Sequence, residues 1–204
     1  MKKQLNQAEL IKKITDKDLL LNLYFSQGII LFLAFVSSYF LFRDFGQWLE
    51  QLHWHPEEIF TYGVLPALLI VSIDLLLMRL LPKAYYDDGG INERIFQNQG
   101  LLHILFITFL VALSEEMLFR GVIQHEFGYI IASVTFALIH FRYLTKPVLF
   151  VSILFISFLI GYMYEMTQNL FVTIVAHFLV DFLLALFIKV KWGMNHGHTE
   201  TEPK

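Results

Sequence analysis

Residues 19–42, LLLNLYFSQGIILFLAFVSSYFLF, decide the fold: 24 positions pass without one charged side chain. A helix of about 20 apolar residues crosses a hydrocarbon core about 30 Å thick, so this segment is expected to span a membrane. A basic start precedes it (Lys2, Lys3, Lys12, Lys13, Lys17), but the run is too long for a signal-peptide core and no small-residue cleavage site follows. It is expected to remain as an anchor. Outward from it, further apolar runs occupy residues 60–81, 101–123, 127–141, 147–164 and 169–188. The expected fold is therefore all-α, a polytopic membrane helix bundle of about six transmembrane helices. The fourth run is the weak one, because its 15 residues rise only about 22 Å as a helix.

Composition agrees. Of 204 residues, 56% are hydrophobic and 16% charged, against about 45–50% and 25% in soluble domains. With 21 Phe and a mean hydropathy of +0.58, disorder and low-complexity classes are excluded. A net charge of −3 offers no basic surface, so nucleic acid is not an expected partner. The absence of Cys removes disulfides, thiolate zinc sites and a thiol nucleophile.

Lys and Arg collect on cytoplasmic flanks. Six crossings with the N-terminus inside put Lys2, Lys3, Lys12, Lys13, Lys17, Arg79, Lys83, Arg94, Arg142, Lys146, Lys189, Lys191 and Lys204 on the cytoplasmic side and leave Arg43 and Arg120 elsewhere. Both termini are thus expected in the cytoplasm. The organisation reads as a cytoplasmic segment (1–18), N-terminal transmembrane helices and loops (19–100), a core (101–188) and a flexible tail (189–204), whose His196 and His198 give neither enough ligands nor fixed geometry for a metal.

Within the apolar runs sit Asp74, Arg79, Glu115, Glu116, Arg120, His140, His177 and Asp181. Each is costly in lipid, about 2.5–3.5 kcal/mol per central charge on insertion scales, unless it pairs or lines a wet cavity. Glu116 precedes Arg120 by four, the favourable order for a helical ion pair, so this couple is read as structural. Glu115 points about 100° away and is the better general base. Phe136 and His140 share one helix face, as do His177 and Asp181, where the carboxylate can fix the ring's tautomer. The alternative for each pair is a polar contact that only locks helices together. Arg79 reads as an interfacial anchor, and Asp74 has no evident partner.

Three motifs in order, Glu115-Glu116-x-x-x-Arg120, Phe136-x-x-x-His140 and His177-x-x-x-Asp181, resemble the signature of the CPBP family of CAAX proteases and bacteriocin-processing enzymes, also called the Abi family, over residues 101–188. The resemblance implies a bacterial intramembrane endopeptidase acting on a membrane-associated peptide or protein: a bacteriocin, a pheromone precursor or a CAAX-like substrate. It also implies that Glu115 and His140 activate water while His177 and the residue at 181 stabilise the oxyanion. Well-studied members carry Asn at that last position. Ionised Asp181 accepts only, so it is expected to act by holding His177 as the donor.

No nucleophilic Ser is evident, since Ser114 and Glu115 do not face each other on a helix. Zinc is the mechanistic alternative, with Glu115, His140, His177 and Asp181 as ligands, although no His-Glu-x-x-His motif is present. Two other functions compete: a non-catalytic immunity or signalling protein acting through a partner, and a proton-coupled transporter. One geometric conflict arises. If the fourth run were a plain crossing, His140 would lie near the cytoplasmic face and Glu115 about 21 Å from it.

Overall fold

The computed structural model describes residues 14–143 and 146–196. The segments 1–13, 144–145 and 197–204, which include most of the basic start, His198 and the end of the tail, lie outside the described residues.

Among the described residues, five helices are long and apolar enough to cross a bilayer: α1 (Asp16–Leu41), α3 (Pro56–Leu80), α5 (Leu101–Phe127), α7 (Pro147–Thr167) and the segment Leu170–Met194 of α8 (Leu170–His196). Short elements connect them: α2 (Gly46–Glu50), α4 (Ile91–Phe96) and α6 (Tyr129–Ile139). The chain is an all-helical, multi-pass membrane bundle, with no strand among the described residues. A capping box starts α1: the Thr15 hydroxyl accepts from the Asp18 amide at 3.1 Å while the Asp18 carboxylate accepts from the Thr15 amide at 3.3 Å. Large apolar side chains such as Phe25, Phe32 and Leu102 point outward, as a lipid-facing surface requires.

Buried pairs set the helix directions. Tyr24 meets His103, Gln27 meets Ser114 and Glu115, and Ala34 packs with Leu118 and Phe119, so α1 and α5 run parallel. Arg120 meets Ser157 and Gln124 meets Gly161, so α5 and α7 are parallel too. Asp16 pairs with Arg94 at 2.7 Å and Lys189 donates to the Gln99 carbonyl. The start of α1 and the late turns of α8 therefore gather at one end of the bundle.

The fourth apolar run departs from expectation. Its helix α6 has 11 residues, a rise of about 16 Å, and cannot by itself cross a core of about 30 Å. Gly128, at φ 89° and ψ 166°, reverses the chain between α5 and α6 in a conformation reserved for glycine. From this turn α6 runs back antiparallel to α7, with Tyr129 donating to the Phe158 carbonyl at 2.8 Å and Ser133 beside Ser157. Counting from Gly128, His140 and Glu116 each lie twelve residues away along α6 and α5, about 18 Å of helical rise in both directions. His140 thus stops at the depth of the acidic pair instead of continuing to the far face, which removes the geometric conflict.

The opposite end is sealed by α2. Trp48, 3% exposed, donates its indole N–H to Ser38 Oγ at 3.2 Å and packs on Phe42. Gln51 accepts from the Leu170 amide and from the Tyr164 hydroxyl, each at 2.7 Å. Trp48 lies so close to Gly121 that a Cβ there would sit 2.6 Å from Cζ3 and 3.1 Å from Leu170 Cδ1. Gly121→Ala gains up to about 1 kcal/mol in helix propensity, but it must displace a rigid, hydrogen-bonded indole at about 1–3 kcal/mol. The variant is expected to inactivate at lower temperature in detergent, and Trp48→Phe in the same chain should recover part of the loss.

Candidate active site

Helix α5 changes character where the acids occur. Its regular turns end at Glu116 and a π-helical segment, Met117–Gln124, follows, with the His125 amide bonded to the Arg120 carbonyl. Such π turns inside α-helices concentrate at functional sites, because they redirect the side chains that follow.

Arg120 is fully buried and held on several sides. Its Nη1 lies 3.3 Å from Glu116 Oε1, its Nη2 donates to the Ser157 carbonyl at 2.9 Å, and its Cζ stands 4.6 Å from the centroid of the Phe136 ring. Glu116, also 0% exposed, makes a second contact: His177 Nδ1 donates to the same Oε1 at 2.8 Å. Across the imidazole, Nε2 lies 3.5 Å from Asp181 Oδ2. The two helical couples legible in the sequence are thus joined by a link between α5 and α8. One carboxylate oxygen receives both the guanidinium and the imidazole, fixing the orientation of His177, while Glu116 Oε2 is buried without a hydrogen-bond partner among the described residues.

His140 ends α6. Its Nδ1 lies 2.9 Å from the Phe136 carbonyl; a carbonyl only accepts, so Nδ1 carries a proton, and Nε2 makes no hydrogen bond among the described residues. Phe136 stands between the two imidazoles, 4.9 Å from the His140 ring and 6.0 Å from that of His177, centroid to centroid. Glu115 has a partner of its own on α1. It is 5% exposed, and its Oε1 accepts from Gln27 Nε2 of α1 at 3.0 Å. Its Oε2 has no hydrogen-bond partner among the described residues and is not sealed. Neither imidazole hydrogen-bonds to Glu115.

The remaining ionisable residues stay apart. Asp74 lines an apolar cleft of about 220 Å³ between α3 and α7 with Ile70, Leu77, Val151 and Phe155. Arg79 is exposed at the end of α3, as an interfacial anchor would be. Among the described residues no group of three His, Asp or Glu side chains could hold a metal ion, so the four-ligand zinc arrangement of Glu115, His140, His177 and Asp181 is not assembled. Ionisable groups alone do not point to Gln27 or Ser157, which bond to Glu115 and Arg120. The signal for Gln27 was present, an amide in the middle of an otherwise apolar span.

Fold and cluster define a polytopic helical membrane protein with a buried acid–imidazole site. Residues 97–183 match the family model described as type II CAAX prenyl endopeptidase Rce1-like. The chain is 42% identical over 175 residues to the uncharacterized protein YpbD of Bacillus subtilis (strain 168), a match that covers 86% of this chain and 93% of the relative. This chain belongs to the Rce1-like family. No solved structure matches it.

Proposed function

We propose that this protein is an intramembrane endopeptidase that hydrolyses a peptide bond of a membrane-associated peptide or protein, with the end that carries Asp16, Arg94 and Lys189 facing the cytoplasm. The observation that supports this most is the pair of imidazoles flanking Phe136 at the depth of the acidic pair, each with its Nδ1 committed to a fixed acceptor.

In this reading a water molecule is held between Glu115 Oε2 and His140 Nε2. Glu115 takes one proton as the water oxygen bonds to the carbonyl carbon. The oxyanion that forms accepts from Nε2–H of His177, which Glu116 and Asp181 hold in place. Collapse breaks the C–N bond, and the proton on Glu115 passes to the leaving amine. Phe136 and the sealed Arg120 pair exclude bulk water from this side.

The test uses detergent-purified full-length protein, a synthetic farnesylated CAAX peptide and an unprenylated single-span peptide, with products identified by mass spectrometry. His140→Ala is expected to lower cleavage about a hundredfold, the cost of misplacing the attacking water once Glu115 alone orients it. Cleavage at the wild-type rate by His140→Ala and by His177→Ala would remove both rings from the chemistry and leave a binding protein as the better account.

A further inference from the structure

We propose that Gln27, on α1 and outside the family-matched segment, is a positioning residue for Glu115, so that the first transmembrane helix supplies a working part of the active site. The inference rests on the proteolytic reading above and names what holds its base.

Gln27 is 7% exposed and sits between two polar groups of α5. Its Nε2 lies 3.0 Å from Glu115 Oε1 and its Oε1 lies 2.5 Å from Ser114 Oγ. Ionised Glu115 only accepts, so the amide must present its NH₂ to the carboxylate and its oxygen to the Ser114 hydroxyl. One oxygen of Glu115 is thereby fixed, and the other is left for water.

The same three groups also fit the opposite charge state. A base that has taken a proton from water is a carboxylic acid, which must donate. A half-turn of the amide then offers Oε1 to the acid and NH₂ to Ser114, whose hydroxyl proton can move to the Leu110 carbonyl, 2.8 Å away. Each of these hydrogen bonds keeps a donor facing an acceptor in both states. A buried base that must change charge in each turnover needs such a partner, because an unsatisfied polar group in a low-dielectric interior is costly.

Losing the amide leaves Glu115 Oε1 without the donor that fixes it. Gln27→Leu in the detergent-purified full-length protein should therefore lower kcat for a cleaved peptide roughly tenfold, the worth of one hydrogen bond to a charged group, with little change in KM. Ser114→Ala, which frees the amide without removing it, should lower kcat by less. Ser38→Ala is the control. It deletes an equally buried polar contact of α1, to Trp48, and should leave kcat unchanged. A double-mutant cycle separates positioning from mere packing: on a Glu115→Gln background, Gln27→Leu should cost nothing further, because the group it holds is already disabled. A wild-type kcat in Gln27→Leu would overturn the proposal, as would a loss that persists in full on the Glu115→Gln background. The two readings fail separately, since undiminished cleavage by Glu115→Gln alone removes the proteolytic role of that base.

Discussion

Glu115→Gln is expected to lower kcat/KM for a cleaved peptide by about a thousandfold, within the range for a lost general base, while stability stays within about 1 kcal/mol of wild type. The substitution is isosteric, and the new amide oxygen can still accept from Gln27 Nε2. The charge removed does not belong to the sealed pair, since Arg120 bonds to Glu116. Glu116→Gln should behave differently although it neighbours Glu115. It takes the negative charge from a fully buried site that receives both Arg120 and His177, so stability falls together with turnover. Measuring kcat/KM and the midpoint of thermal inactivation for both variants separates the roles. A stable, inactive Glu116→Gln beside an active Glu115→Gln would transfer the base function to Glu116.

Length and hydropathy made the long helices legible, because a bilayer-spanning helix must satisfy every backbone group within one apolar run. The shape of the fourth run was not. Residues 127–141 carry no Lys, Arg, Asp or Glu, and nothing in their composition separates a crossing from a short helix that ends inside the bundle. The positive φ of Gly128 and the return of α6 along α7, Tyr129 on Phe158 and Ser133 on Ser157, are tertiary features. The site followed the same division. Pairs four residues apart on one helix, Glu116 with Arg120 and His177 with Asp181, could be read from spacing. The bond from Glu116 to His177, 61 residues apart, and that from Gln27 to Glu115, 88 apart, depend on which helices become neighbours, and a helix period carries no such information. A strong clue to the second was polarity in the wrong solvent, an amide among aliphatic and aromatic residues.

The buried ion pair itself carries the second large effect. Arg120→Met is expected to destabilise the protein by about 3–5 kcal/mol, the cost of leaving one member of a buried pair uncompensated. Glu116 would keep only His177, in a site where its second oxygen already has no partner. Methionine can still fill the space against Phe136, so lost packing is the smaller part of the cost. Adding Glu116→Gln removes the uncompensated charge, and the double variant should recover most of the stability, since a neutral pair escapes the desolvation penalty. Turnover then distinguishes a structural couple from a positioning one. In Arg120→Met with Glu116→Gln the amide oxygen still accepts from His177 Nδ1–H, the ring keeps its orientation, and substantial activity should return. In Arg120→Met with Glu116→Leu the charge is equally absent, but the imidazole loses that acceptor, so stability should recover while cleavage stays low. If both double variants cleave equally well, Glu116 serves only to neutralise Arg120, and the fixed orientation of His177 must come from Asp181 alone.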